Sequence, residues 1–234
     1  MFLKELFEYI QYGELSQMYL GNGELGSIPD AKYMQVISAV NLGLTELYKR
    51  FPVRIKEVII REFSHITDYK LDSRYAEYAG STSSFPKYIM DSPSQLFRDD
   101  VLLIEEVFNE DGMEIPLNDS GLRYSIFTTG YNSFMHPYPD DDNVLSILYR
   151  ANSEKILYTP DIDLNNTYID VPDHLTEALL NYVAYRLFGA VNLNSAEATG
   201  YYAKFEASCN LLNNLGLVYK QDQLNMKLEN NGWV

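Results

Sequence analysis

The spacing of apolar residues changes twice along the chain. Near both ends, apolar side chains recur every three or four positions, which is the period of one face of an α-helix. Between about residues 53 and 171 they alternate with polar side chains, as in strands with one buried face. The pattern therefore predicts an α+β protein, in which a frame of bundled helices from both ends of the chain holds an inserted antiparallel β domain.

Three segments carry the helical pattern most clearly. Residues 29–51 place their apolar side chains on one stripe between two prolines, which favour a helix start and a helix stop. Residues 171–191 and 195–216 repeat the pattern, and a short Asn-rich connection joins them. We therefore predict a long helix near the N-terminus and an antiparallel helical hairpin near the C-terminus, with Gly216 as its C-cap.

Turn residues divide the central region into short strands. Residues 99–119 read as strand, Asp-Gly turn and strand, which predicts a β-hairpin. Further strands are predicted at 122–129, 143–150 and 166–171. The stretch 80–98 is rich in Ser, Pro and Asp, which predicts an irregular excursion.

These patterns divide the chain into segments with different expected roles. The segments are the first helices of the bundle (1–52), the β insertion (53–171), the C-terminal helical hairpin (172–216) and an extended tail for partner docking (217–234).

The tail is the segment that we expect to bind a partner. Leu224, Met226 and Leu228 alternate with polar residues, and the only tryptophan, Trp233, is next to last. An aromatic side chain near a loose chain end contributes little unless a surface receives it. We hypothesise that the tail, with Tyr219 near its start, adds as a strand to a neighbouring surface and is anchored by Trp233. The alternatives are a frayed end and a strand that folds back on its own domain.

Composition excludes several classes of protein. The chain has 33 acidic and 18 basic residues, a net charge of −15, and nucleic acid is bound mainly through Lys and Arg. Cys209 is the only cysteine, which excludes an internal disulfide and a Cys-rich zinc site. The N-terminal residues have the pattern of an amphipathic helix rather than a signal peptide, and no apolar run is long enough to cross a membrane. We therefore expect that the protein does not associate with membranes. We also expect that it is synthesised in a reducing compartment.

No motif in the sequence predicts catalysis, a cofactor or a metal. Residues 21–26, GNGELG, match G-x-G-x-x-G, but the helix begins only at Pro29 and no βαβ unit follows, so we interpret them as a flexible loop. The aspartates at 140–142 and at 161 and 163 lack the spacing and the glycine of a calcium loop, and we interpret both stretches as turns. The histidines lie far apart and belong to no catalytic motif.

The order of these elements resembles a known family. Helices that bracket a β region and end in IDVPDHLTEALLNYVAYRLFGAVN and EATGYYAKFEASCNLL resemble the head-to-tail adaptor (neck or connector) proteins of short-tailed bacteriophages. Residues 102–128 are similar to ring proteins that lie below the portal in crAss-like phages. The resemblance covers about 28–52, 100–130 and 166–216.

The resemblance implies a structural role in the virion neck and no enzymatic activity. It implies a homo-oligomeric ring, usually a dodecamer, that docks under the portal, contacts the tail or ring proteins that follow and lets genomic DNA pass through its lumen. It also implies synthesis in the cytoplasm of the bacterial host and a C-terminal segment that reaches toward the portal. A strongly acidic ring agrees with this role, because DNA would pass through it without binding.

An alternative interpretation uses the central region as a ligand site. The chain has 20 tyrosines, and aromatic faces stack on sugar rings, so Tyr131, Tyr138 and Tyr149 with nearby Asp residues are candidates for a carbohydrate-binding module or a hydrolase. The amount of predicted helix argues against a sugar module, and the absence of a catalytic motif argues against a hydrolase.

Overall fold

The computed structural model describes residues 1–14, 16, 26–79, 85–141, 143–191 and 196–216. Within these residues, α-helices accompany two sheets whose strands pair antiparallel, so the predicted α+β class is confirmed. The helices are α1 (Leu3–Tyr12), α2 (Tyr33–Arg50), α3 (Thr176–Val191) and α4 (Ala196–Leu215). The strands are β1 (Ile55–Arg61), β2 (Asp68–Lys70), β3 (Ile89–Met90), β4 (Val101–Phe108), β5 (Glu114–Ile115), β6 (Phe127–Gly130), β7 (Ser133–Met135) and β8 (Val144–Ala151).

The chain folds as two compact units. Residues up to Val53 and from Ser153 onward form the helical unit, and Arg54–Asn152 form the β unit. The segment after Ser153 is bound to α2, because the Asn41 side chain donates to the Ile156 carbonyl and accepts from the Ile156 amide, both at 2.9 Å. The division of the chain into its predicted segments, which includes the tail, stays a prediction.

The middle helix of the helical unit is α3, which packs against α1, α2 and α4. Short 3₁₀ helices, Asp30–Lys32 and Asp173–Leu175, lead into α2 and α3. Each follows a proline, Pro29 or Pro172, and the fixed φ of proline suits the start of a helix. The helices predicted at 29–51, 171–191 and 195–216 are therefore confirmed, with ends that differ by a few residues.

The predicted apolar stripes form the core of the helical unit. Their buried members are Ile37, Val40, Leu44, Leu47, Phe51, Leu175, Leu179, Tyr182, Val183, Leu187, Ala198, Phe205, Cys209 and Leu212. Tyr202, three residues before the buried Phe205 on α4, is 40% exposed. Cys209 lies in this core, and its burial raises the pKa of its thiol.

The first residues of the chain pair with the segment before α3. Phe2 and Tyr168 form an antiparallel bridge, and the Ile169 amide donates to the Met1 carbonyl at 2.9 Å. The strand predicted at 166–171 is wrong, because the structure has only this isolated bridge there. The pairing does not continue beyond Phe2, because α1 begins at Leu3.

The β unit contains a five-stranded sheet in the order β3-β1-β8-β4-β5 and a three-stranded sheet in the order β2-β7-β6. The predicted hairpin is confirmed, since β4 and β5 pair around a turn in which Gly112 has a φ of 75°. The strand predicted at 143–150 is β8. The strand predicted at 122–129 is only partly confirmed, because β6 begins at Phe127. The stretch 80–98, which was predicted to be irregular, contains the short strand β3.

The two sheets share one apolar core. Alternate residues of β8 are buried, and they pack in the same cluster as Tyr69 of β2 and Phe134 of β7, whose rings stack at 5.2 Å. Outside the named strands, isolated bridges pair Leu117 with Ile126 and Ala76 with Ile89. Because apolar and polar residues alternate along the strands, each sheet has one apolar face, and the apolar faces of both sheets pack on the same core.

The helices α2 and α3 are in close contact at Gly43. A Cβ atom added at Gly43 would lie 2.7 Å from Leu179 Cδ1 and 3.0 Å from Tyr182 Cδ1. Both neighbours are buried and have little room to move. Gly43 therefore lets the two helices approach more closely than any other residue would allow.

An ion pair joins the end of α2 to α4. The Arg50 guanidinium donates two hydrogen bonds of 2.7 Å to the Glu206 carboxylate, and it lies 4.7 Å from the centre of the Phe205 ring. The hydrogen bonds from Arg50 lower the pKa of Glu206, and the same bonds raise the pKa of Arg50.

We predict that Gly43→Ala destabilises the protein although alanine is the better helix former. Overpacking against Leu179 and Tyr182 costs more than the ~1 kcal/mol of helix propensity gained, so we expect a net loss of about 1 kcal/mol in the free energy of unfolding. The control is Gly200→Ala in α4, where an added Cβ has no neighbour within 4 Å and should stabilise. Urea unfolding of both variants measures the difference. Equal stabilisation by the two substitutions would contradict the close-contact argument.

We predict that Glu206→Gln lowers the free energy of unfolding by about 1 kcal/mol at neutral pH, because the side chains of the pair with Arg50 are 31% and 34% exposed and solvent weakens their attraction. Since the folded state lowers the pKa of Glu206, the contribution is full above its ordinary value of 4.5 and is lost as the pH falls below it. Urea unfolding of wild type and variant between pH 7 and pH 3 should show the gap closing at the acid end. Glu46→Gln, which breaks the more exposed pair with Lys49, is the control and should cost less. A gap that stays constant with pH would argue against the ion pair.

Candidate interaction site

A groove runs between α1 and the start of α3. Its volume is about 570 Å³, and its walls include Glu5 and Tyr9 of α1 and Thr176 and Leu180 of α3. The inner face of α1 is formed by buried leucine, phenylalanine and isoleucine side chains, so its acidic side chains and Tyr9 remain on the outside. Tyr9 is 54% exposed and forms the rim of the groove.

A second groove lies between α3 and α4. Its volume is about 300 Å³, and its walls include His174, Lys204, Ala207 and Leu211. Leu211 is 58% exposed, and the small side chain of Ala207, one turn earlier, leaves space beside it. Glu177 lines both grooves, so the two grooves meet on α3. We call them together the front groove.

The front groove has an acidic side and a cationic side. Glu5, Asp173 and Glu177 place carboxylates near α1, whereas Lys204 lies on α4. The Lys204 ammonium is 4.8 Å from the centre of the Tyr201 ring, a cation–π contact within its own helix. Asp173 and Glu177 also suit the N-terminal end of α3, where the helix dipole favours negative charge. The carboxylates therefore serve the helix as well as the surface.

Large apolar side chains are exposed on α2 and on the segment that binds it. Met34 and Leu42 are 65% and 42% exposed, and they lie on one ridge of α2. Leu157 and Tyr158 are 77% and 37% exposed. Exposed apolar clusters of this kind mark interaction sites more often than isolated exposed residues do.

Asn41 holds the second half of this cluster against α2. Its two hydrogen bonds to the Ile156 backbone place Leu157 directly after an anchored residue. Lys155, just before that residue, is exposed. We call this set the back surface, and its members are Met34, Leu42, Lys155, Leu157 and Tyr158.

The front groove and the back surface lie on different sides of α3. Gly43 of α2 packs on Leu179 and Tyr182. In a helix with 3.6 residues per turn, these two residues are about half a turn away from Glu177, which lines the groove. The front groove therefore opens on the side of α3 that faces away from α2, and the back surface belongs to α2 and its bound segment.

The predicted partner-binding residues of the tail, Tyr219, Leu224, Met226, Leu228 and Trp233, lie outside the described residues. Gly216, the last of the described residues, has a φ of 65°. Its amide donates a hydrogen bond of 3.2 Å to the Asn213 carbonyl. Gly216 is therefore the predicted C-cap of α4. The role of the tail stays a prediction.

Two of the acidic stretches are held in turns. Asp141 accepts hydrogen bonds from the amide and the hydroxyl of Ser64 at 2.6 and 2.8 Å, which lowers the pKa of Asp141. Asp163 likewise accepts from the Asn165 amide at 2.9 Å. Asp142 lies outside the described residues, as do residues 21–25 of the glycine-rich stretch, whose interpretation as a loop stays a prediction.

The tyrosines considered for sugar binding have different environments. Tyr131 and Tyr138 are 65% and 55% exposed, and the Arg123 guanidinium is 4.5 Å from the centre of the Tyr138 ring. Tyr149 is only 3% exposed, and its hydroxyl donates to Asp100 at 3.1 Å. The candidate role of Tyr149 in sugar stacking is therefore wrong, because β8 turns this side chain into the core.

Sequence reasoning missed a buried polar cluster in the β unit. Glu62, which follows β1, is fully buried, and its two carboxylate oxygens lie 2.5 Å from His136 Nδ1 and 2.7 Å from Asn143 Nδ2. His136 follows β7 and Asn143 precedes β8, so the cluster links both sheets. The residues are far apart in the sequence, and no local pattern announces their contact. With both carboxylate oxygens engaged, the cluster suits structural support.

Within the ranges that the structure describes, no group of three or more His, Cys, Asp or Glu side chains is arranged to hold a metal ion. Over the same ranges, no helix combines the length and the apolar character that a membrane span requires.

Comparison with known proteins gives one match over most of the chain. The family model for the SU10 adaptor protein matches residues 12–225. No curated protein matches the chain at a significant level. The family match spans both units and agrees with the resemblance to phage head-to-tail adaptors. The chain therefore belongs to the SU10 adaptor protein family and has the structural role of a bacteriophage adaptor.

Proposed function

We propose that this chain is a head-to-tail adaptor that forms a ring, a dodecamer by analogy, between the portal and the tail of the virion. The observation that carries the proposal is the adaptor family match over residues 12–225. The likeness of residues 102–128 to the ring proteins below the portal of crAss-like phages supports a position next to the portal.

A ring needs two different surfaces on every copy. In a head-to-tail contact, one surface of a copy binds another surface of the next copy, and the series closes when the rotation divides a full turn. The front groove and the back surface are two such surfaces on different sides of α3. Their separation supports assembly into a ring rather than into a symmetric dimer.

The net charge of −15 supports passage of DNA without binding. Phosphate groups are held by Lys and Arg, and a lumen with a net negative charge repels the DNA backbone. The adaptor would therefore guide the genome between portal and tail without retaining it.

The tail, residues 217–234, is proposed to dock on the portal. Its alternating apolar residues suit strand addition to a partner surface, with Trp233 as the anchor. The tail or ring proteins that follow would bind elsewhere on the ring. In this proposal the chain is made in the host cytoplasm and becomes part of the virion neck.

We expect native mass spectrometry to give a closed ring near twelve copies, either from the protein alone or after mixing with the portal protein of the same phage. If the portal orders the tail or aligns the copies, we expect the ring to form only when the portal is present. Bovine serum albumin at the same concentration is the control for nonspecific association. A chain that stays monomeric alone and with the portal would contradict the proposal.

We expect deletion of residues 219–234 to abolish association with the portal while leaving the helical unit folded, because Gly216 already ends α4. Association is measured by sedimentation of the mixture, and folding by far-UV circular dichroism. The matched point variant is Trp233→Ala, which should weaken association through loss of the aromatic anchor. Unchanged association after the deletion would remove the tail from the portal contact.

A further inference from the structure

The helical unit exposes large apolar side chains that water solvates poorly. On the back surface, Leu157 and Met34 are 77% and 65% exposed, and in the front groove Leu211 and Tyr9 are 58% and 54% exposed. Side chains of this size are normally covered when they cluster. The two clusters belong to different sides of the same unit, so one copy cannot cover both with its own described residues.

We infer that the back surface of one copy packs into the front groove of the next copy, and that repetition of this contact closes the ring. The inference rests on the proposed function, because it names the contact by which the proposed ring forms. The partner in this contact is a second copy of the same chain.

The shapes of the two surfaces are complementary. Met34 and Leu42 form a ridge on α2, and the segment held by Asn41 adds the exposed Leu157. The front groove offers a depression over α3 between two flanking helices, with the small side chain of Ala207 in one wall. A ridge that enters a groove between helices is the common geometry of helix packing.

The charges of the two surfaces are also complementary. The front groove carries the carboxylates of Glu5, Asp173 and Glu177 on its α1 side. The back surface carries the exposed Lys155 two residues before Leu157, and the exposed Glu154 precedes it. In the inferred contact Lys155 faces the carboxylates on the α1 side of the groove, and Glu154 faces Lys204 on the α4 side.

Pairing of like surfaces would fit less well as the main contact. Two back surfaces would place ridge against ridge, and two front grooves would leave the back surface of both copies uncovered. Front-to-back contact covers both surfaces of every copy only when the series of copies closes on itself. The two surfaces therefore favour a closed ring.

The experiment changes each surface by one exposed residue. Leu157→Glu places a carboxylate on the back surface opposite the acidic side of the groove. Ala207→Arg fills the α4 wall of the groove. The matched controls are Met113→Glu on the β4–β5 turn, which is 60% exposed, and Asn213→Arg, an exposed residue of α4 about a third of a turn from Ala207 and about half a turn from Lys204 and Leu211. Native mass spectrometry is run on each protein under the conditions in which wild type assembles, with portal if the portal is needed.

We expect each surface variant to fall from the ring mass to the mass of one copy, and both controls to keep the ring. A mixture of the two surface variants should then give two-copy complexes and nothing larger. Leu157→Glu retains an intact groove, and Ala207→Arg retains an intact back surface, so one contact forms and no further copy can add.

The outcomes separate the inference from the proposed ring. If both surface variants still form rings, this contact is wrong while the ring stands. If they keep the ring but lose the portal, the back surface or the groove binds the portal and the inference is overturned. If wild type never assembles, the proposed ring and the inference fall together. Circular dichroism checks folding, and Met34→Glu or Glu177→Lys replaces a variant that fails to fold.

Discussion

The close contact between α2 and α3 at Gly43 is the constraint on which the helical unit depends. Because Gly43 has no side chain, Leu179 and Tyr182 reach the backbone of α2, and α3 is held with one face toward α2 and the opposite face outward. With α1 and α4 on its flanks, the outward face becomes the floor of the front groove. The front groove is therefore a consequence of helix packing. Most of the residues that determine its shape lie in the helix contacts and do not line the groove.

The acidity of the chain has a structural use in the β unit. Asp91 accepts hydrogen bonds from three backbone amides, and Asp99 and Asp141 each bind the amide and hydroxyl of a serine. Carboxylates in these positions satisfy backbone donors in loops that have no strand partner. Stretches that resemble metal ligands in the sequence thus fix turns, and they still leave a net negative charge for the surface.

Periodicity predicted the helices of this protein better than its strands or its sites. The stripes from Ile37 to Leu212 are buried as expected, because a helix satisfies its hydrogen bonds locally and its pattern is read within one segment. The strand predicted at 166–171 failed because a strand needs a partner, and the partner segment ends at Leu3. Neither the Glu62 cluster nor the front groove was predicted, since both depend on contacts between residues distant in the sequence.

The burial of Cys209 has a practical consequence for watching assembly. It is the only thiol in the chain, it is 1% exposed, and its raised pKa keeps it in the unreactive protonated form near neutral pH. A cysteine introduced on the surface would therefore be the single site that a maleimide dye labels. One fluorophore per copy, placed without first removing the native thiol, would make stepwise photobleaching a direct count of the copies in each particle.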